Sequence, residues 1–353
     1  MAIVLAVDVM GGDHGVNITI PACLRFLDET IGVNLILVGN QDAIYQHIGT
    51  KLSKYSDRIE VVNTTQVVGM DEPPQVAMRT KRDSSMRVAI NLVKQGKANS
   101  AVSAGNTGAL MAISRYVLRT MDGIDRPAIA KLMPTVNGEV CVLDLGANVE
   151  CSPEHLLQFG IMGAQLMRGV TGKIAPSVGI LNIGSEDIKG NETVKKAAEL
   201  LKTTNLNFYG NVEGDDIFKG VVDVVVTDGF TGNVSLKTTE GVAKMIAFFL
   251  KEEFTRNWWS KLIALLSFPV LRRIKQRVDP SKYNGAVLLG LNGLIIKSHG
   301  GADIDGFYYA LAQAHHEVNA GVIGLLHEYL QQNKQLLESE EQLSEFSDLN
   351  SLS

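Results

Sequence analysis

Seven short runs rich in β-branched residues and nearly free of charge recur along the chain, each followed by a stretch in which apolar residues return at helical spacing. A strand with little charge on either side of its pleat has to be covered on both faces. Alternation with helices is the pattern of parallel strands joined by crossovers. Strands are expected at 3–7, 35–38, 59–62, 101–103, 140–143, 178–183 and 222–227. Helices are expected near 18–27, 86–94, 109–118, 154–167, 192–201 and 234–250, where sets such as Val88, Leu92 and Val93 repeat on one face. The fold class this implies is α/β, an open and mostly parallel sheet with helices on both faces.

The chain is long enough, at 353 residues, for one large domain or for two lobes sharing a sheet. No repeat or Pro- or Gly-rich linker divides it, so residues 1–333 are taken as one catalytic domain and 334–353, acidic in its last sixteen positions, as a frayed tail. A net charge of −5 speaks against general nucleic-acid binding. Three cysteines, Cys23, Cys141 and Cys151, have no metal-like spacing and are expected to be reduced thiols. The apolar start is short, lacks a basic leader and contains Asp8, so a cytoplasmic location is expected.

In a parallel sheet, ligands bind beyond the carboxyl ends of the strands, where helix N-termini present free N–H groups. Glycine-rich polar turns stand at that place repeatedly. The first strand runs into Asp8, Gly11, Gly12 and Asp13, which is either a ligand-approaching turn or a helix cap. Ser103, Gly105, Asn106, Thr107 and Gly108 follow the fourth and supply hydroxyl, amide and backbone donors suited to phosphate or an oxyanion. Asp144 to Asn148 and the run Asp228, Gly229, Phe230, Thr231, Gly232, Asn233 come after later strands, and His299 precedes two glycines near the end. All are expected to face one site.

The absences narrow the chemistry. No G-x-G-x-x-G follows the first strand, no P-loop pattern occurs, and no G-x-S-x-G elbow is present. His315 and His316 lack the spacing of a zinc helix. The expectation is a site that holds an anion with no metal and no cofactor.

In this order the turns closely resemble the PlsX-type phosphate acyltransferases of bacterial phospholipid synthesis. The likeness covers about residues 1–333. It includes Leu181 to Glu186, Lys189 to Glu192 and Gly210 to Gly214 besides the turns above. The resemblance implies a fold similar to phosphotransacetylase and the isocitrate dehydrogenase group. It implies acyl transfer from acyl carrier protein to inorganic phosphate, a homodimer, and delivery of acyl phosphate to a membrane glycerol-3-phosphate acyltransferase. Phosphate is itself the nucleophile, so the site has only to align it and stabilise an oxyanion. On that basis Ser103, Asn106 and Thr107 would hold phosphate or oxyanion and Lys189 would balance charge. Asp13, Asn148, Asp228, Asn233 and His299 would complete the wall. A coenzyme A-dependent phosphotransacetylase, a dehydrogenase of related fold and a non-catalytic membrane scaffold are the alternatives.

One segment differs from the rest. Residues 256–282 hold both tryptophans, Trp258 and Trp259, with Leu262, Leu265 and Leu266 at helical spacing. Arg272, Arg273, Lys275 and Arg277 follow beyond Pro269. Pro269 is expected to break the helix. Such a pattern suits an amphipathic segment lying on an anionic membrane, or a hairpin at a dimer contact.

Overall fold

Neighbouring residues of the first two strands enter different cores. Leu5, Val7, Leu35 and Leu37 pack on one face, while Ala6, Ile36 and Val38 pack on the other. That alternation requires helices on both sides, and the computed structural model, which describes residues 2–278 and 280–333, shows them. The tail at 334–353 lies outside the described residues.

The first half contains β1 (Ile3–Asp8), α1 (Val16–Glu29), β2 (Val33–Gly39), α2 (Gln41–Ile48), α3 (Leu52–Tyr55) and β3 (Ile59–Asn63). Then come α4 (Pro74–Thr80), α5 (Ser85–Lys94), β4 (Ser100–Ser103) and α6 (Thr107–Leu118). The hairpin β5 (Ala128–Thr135) and β6 (Gly138–Leu143) leads into α7 (Pro153–Thr171), β7 (Ser177–Leu181), α8 (Glu192–Thr203) and β8 (Asn207–Val212). After α9 (Asp216–Lys219) and β9 (Val224–Val226) the long helices α10 (Gly229–Thr255) and α11 (Trp258–Val278) form an excursion. The chain returns through β10 (Ala286–Leu289) and β11 (Leu294–Lys297) and closes with α12 (Ile304–Asn319) and α13 (Val322–Gln332).

The eleven strands form one sheet in the order β3-β2-β1-β4-β11-β10-β5-β6-β9-β7-β8. It is mostly parallel, as expected. The three antiparallel pairings, β11 with β10, β10 with β5 and β5 with β6, lie side by side at the middle. Three reversals leave β6, β9, β7 and β8 running opposite to β1, β4 and β11. The carboxyl ends of the two parallel halves therefore lie at opposite edges of the sheet.

One face of the sheet carries a single continuous core that includes Phe26, Phe159 and Phe307. The other face is split. One part packs against α5 and α6, and a smaller part is built on Ile129, Met133, Val140, Val142 and Val225. Over that smaller part the cover is thin, because α10 buries only Gly229 and Gly232 along its 27 residues.

Helix starts follow the sequence closely. Asn106, Asn191, Asp228 and Asp303 each cap a helix by accepting a backbone N–H three residues on. Pro269 departs from expectation, since α11 runs through it. The helix is exposed on this stretch, with Leu265 70% accessible, so water can take the carbonyl that proline leaves without a donor.

Candidate functional site

The expected single site divides into two. At one edge the turns after β1, β4 and β11 interlock. The Asp13 N–H donates to the Gly300 carbonyl (2.9 Å), and Ser298 N–H donates to Ser103 O (2.9 Å). Gly11 and Gly12 are required by contact. A Cβ on Gly11 would lie 2.6 Å from Asp8 Oδ2 and 2.8 Å from the Gly105 nitrogen, and Gly12 has φ +89° against the Gly300 carbonyl. This edge gathers Asp8, Gly11, Gly12, Asp13, Ser103, Gly105, Asn106, Thr107, Gly108 and His299.

At the opposite edge, Asp144 is wholly buried and accepts N–H groups from Ile129, Ala147 and Asn148. Gly229 N–H donates to Asn148 O, and Gly232 rests so closely on Asp144 that a Cβ would overlap its carbonyl. Asn148, Asp228, Thr231, Gly232 and Asn233 belong here, with Lys189 on the neighbouring loop. The physical reason is the central antiparallel insertion, which turns the second set of strands around.

Hydrogen bonding separates supporting residues from available ones. Ser103 Oγ donates to buried Asp8 (2.6 Å) and accepts from Gly105 N–H. Asn106 accepts from Ala109 N–H through Oδ1, and its amide nitrogen donates to Met70 O (2.6 Å) and Glu72 O (3.1 Å). Asn148 is committed to Pro127 O and Asp144, and Asp228 to Thr231. These side chains brace their turns. The side-chain donors of Ser103, Asn106 and Asn148 are engaged within the chain. Thr107, Lys189 and Asn233 are exposed, and among the described residues their side chains carry no hydrogen bond or ion pair.

His299 is the open group with a defined surrounding. Its backbone N–H donates to Asn284 Oδ1, and Asn284 Nδ2 donates to Ser298 Oγ and Gly306 O. Gly301 N–H donates to His299 Nδ1 at 3.0 Å. Partial burial and the Lys237 and Lys244 ammoniums keep the imidazole below its ordinary value, so it is neutral at pH 7. It opens on a cavity of about 390 Å³. Lys131, Lys244, Glu240 and Asp303 line this cavity together with the apolar Met133, Pro134, Phe218 and Leu236. Lys131 lies 3.9 Å from Glu240, and burial lowers its pKa despite that partner.

Lys131, Asn284 and Lys297 went unnoticed in the sequence. Lys297 is 8% exposed, its ammonium donates to the carbonyls of Ala104 and Ser298, and burial holds it down to about 8 against the pull of Asp8 and Asp13. Its only local signal was a charge ending an apolar run.

Comparison with known proteins now decides the family. The family described as "Fatty acid synthesis protein" matches residues 3–325. A phosphate acyltransferase of Chromobacterium violaceum is 62% identical over 323 residues, 92% of this chain and 94% of that protein. Another, from Paraburkholderia phytofirmans, is 53% identical over 338 residues, covering 96% and 92%. The chain belongs to the PlsX-type phosphate acyltransferases. It is an enzyme of lipid synthesis that transfers acyl groups to phosphate. The fold is shared with a phosphotransacetylase of Streptococcus pyogenes, at TM-score 0.60 and 16% identity over 92% of this chain and 94% of that one. The EutD phosphotransacetylase of Staphylococcus aureus is similar too, at TM-score 0.58 and 17% identity over 91% and 94%.

Among the described residues no helix is long and apolar enough to cross a membrane. α10 and α11 nevertheless expose a large apolar surface that includes Phe248, Phe249, Trp258 (63%), Trp259 (59%), Leu262 (42%) and Leu266 (74%). The two indoles stack with centroids 3.7 Å apart. Arg272 and Arg273 are exposed on the same helix.

Proposed function

We propose that the enzyme moves a fatty acyl group from the thioester of acyl carrier protein to inorganic phosphate. The observation that carries this reading is the His299 cavity. Its lining joins the Lys131 and Lys244 ammoniums and the His299 imidazole to the apolar Met133, Pro134, Phe218 and Leu236, a mixture that suits a product with an anionic head and an apolar tail. A phosphate oxygen attacks the thioester carbonyl, the C–O bond forms, the oxyanion collapses and the C–S bond breaks. The thiolate leaves with the carrier protein and takes its proton from solvent. In this scheme the His299 Nε2–H and the Lys131 and Lys244 ammoniums stabilise the charge that builds on phosphate and carbonyl oxygens.

A second anion site is favoured by a different observation. Lys189 and Asn233 are unpartnered among the described residues, and the Lys189 loop borders, through Gly190, a cavity of about 470 Å³ lined by Asn182, Asn191, Asp228 and Thr231 and by the apolar Leu156, Ile180, Ile183 and Val194. Comparing phosphate dependence in His299→Ala and Lys189→Ala assigns phosphate to one edge or the other.

The apolar faces of α10 and α11, with their basic flank, support peripheral attachment to an anionic membrane and a homodimer that presents two such hairpins. Attachment would bring acyl phosphate to a membrane glycerol-3-phosphate acyltransferase. The reaction is tested by incubating purified protein with labelled phosphate and palmitoyl groups on either acyl carrier protein or coenzyme A. Acyl phosphate formed mainly from the carrier protein supports the proposal. Preferential use of coenzyme A thioesters would make the enzyme a phosphotransacetylase instead.

A further inference from the structure

A second cavity, of about 280 Å³, adjoins the His299 cavity beneath the first turns of α10. The two share Met133, Phe218, Leu236 and Thr239, so these four residues form the partition between them. Beyond the partition the lining is mainly apolar, with Val142, Leu145, Ile217 and Val234 beside Ser235 and Thr238. Ala243 lines the first cavity and Val234 the second, nine residues apart on α10, or roughly 13 Å at the rise of an α-helix. The trench thus has a polar end, where Lys131, Lys244, Glu240, Asp303 and the neutral His299 imidazole meet, and a more apolar end under Val234. Lysine and imidazole at one end and mainly apolar lining at the other suit an acyl chain with an anionic head.

We infer that the donor's acyl chain lies along α10, its carbonyl at His299 and its methyl end in the second cavity, so that Met133, Phe218 and Leu236 set the chain length the enzyme accepts. The inference rests on the acyl-transfer reading above and deepens it. The smaller of the two packed regions on this face of the sheet, built on Val142 and its neighbours, supplies the floor, and thinly packed α10 supplies the roof. A partition of flexible and flat side chains over such a floor discriminates by how many methylenes pass it. Each methylene excluded from apolar contact costs about fourfold in affinity.

The test uses the full chain with octanoyl and palmitoyl groups on acyl carrier protein. Val234→Trp fills the second cavity from a half-exposed helical position, so it does not threaten the fold. It should lower the palmitoyl-to-octanoyl ratio of kcat/KM by tenfold or more. Phe218→Leu opens the partition and should raise the same ratio. Equal losses for both donors, or an unchanged ratio in both variants, would overturn the inference. Turnover by wild type with either donor checks the reaction separately. Should wild type use neither, alkylphosphonates of the same two chain lengths are titrated by calorimetry. The chain path then stands only if wild type prefers the longer one and Val234→Trp does not.

Discussion

Gly301 donates its backbone N–H to Nδ1 of His299 at 3.0 Å, and this assigns the proton of the neutral ring to Nε2. The turn thereby fixes a tautomer as well as a position. Removing a donor of this kind from a charge-stabilising site typically costs about 10²–10³ in turnover. His299→Ala should fall in that range while its melting temperature stays near wild type, since the side chain is exposed. The pH profile adds a second readout. Protonation at Nδ1 would break the Gly301 contact, so activity should be lost as pH falls through a value below the ordinary 6.5 of imidazole. The titration of phosphate is common to both proteins and drops out of the wild-type to variant ratio. A ratio that does not vary between pH 5 and 8 would remove His299 from the chemistry.

Asn106→Ala should damage stability more than catalysis. The side chain caps α6 and ties it to the carbonyls of Met70 and Glu72. A lost cap costs about 1 kcal/mol and each lost tether about 1 kcal/mol. Urea unfolding should show that loss, with turnover per folded molecule within a few-fold of wild type. A hundredfold drop in turnover without a stability change would return Asn106 to the reacting centre.

The contacts of Asn106 show where sequence reading stopped. Its role as a cap was visible from position alone, but its amide is spent on residues 34 and 36 positions earlier, and no local pattern encodes that contact. The strands covered on both faces announced themselves by composition. β10 and β11 were not expected as strands, and β5 carried Lys131 and Pro134 inside an apolar run. Missing the β5 and β10 pair meant missing the reversal of the sheet. The turns after Leu143 and Val226 were therefore placed at the wrong edge relative to Asp8 and Ser103. Lys297 was hidden for a related reason, since only the pairing of β11 with β4 brings its ammonium under Ala104.

Lys189→Ala should raise the phosphate concentration needed for half-maximal rate, or lower turnover, more than Lys189→Arg does. The ammonium is exposed and unpartnered among the described residues, on a loop that Asn182 Nδ2 and Asn211 Nδ2 hold by the carbonyls of Lys189 and Glu186. A free cation on a braced loop meets an anion with little reorganisation. Identical phosphate dependence in all three proteins would leave Lys189 as a solvated surface charge.

Glu317 links stability to pH. It is wholly buried in α12, Gln313 donates to one of its oxygens (2.6 Å), and burial raises its pKa from 4.5 to about 8. Below 4.5 the group is protonated whether the chain is folded or not and contributes no pH dependence. Between 4.5 and 8 only the unfolded chain ionises, so this group makes stability fall as pH rises, by about 1.4 kcal/mol per unit. Above 8 the penalty is complete and level. Glu317→Gln keeps an acceptor for Gln313 and has nothing to ionise. Its advantage over wild type in urea midpoint should grow from pH 5 to pH 8 and then stop growing. Parallel curves across that range would show that Glu317 ionises normally.

The hairpin of α10 and α11 should bind anionic vesicles reversibly, and Leu262→Glu with Leu266→Glu should release it. Residues 256–282 carry seven lysines and arginines against the single acid Asp279, within a chain of net charge −5. Each basic group near an anionic surface contributes about 1 kcal/mol. A large apolar side chain fully withdrawn from water contributes roughly 1.5–3 kcal/mol. Leu266 is 74% exposed and both tryptophans more than half exposed, so much of that apolar gain is uncollected in the isolated chain. High salt should weaken attachment by screening the basic groups while leaving the apolar contacts, so binding should decline without vanishing. Flotation with phosphatidylglycerol vesicles at low and high salt measures this, and light scattering on the same samples reports the oligomer. Wild type that ignores the vesicles, paired with a double variant that separates into monomers, would make the apolar face a contact between protomers and end the membrane reading.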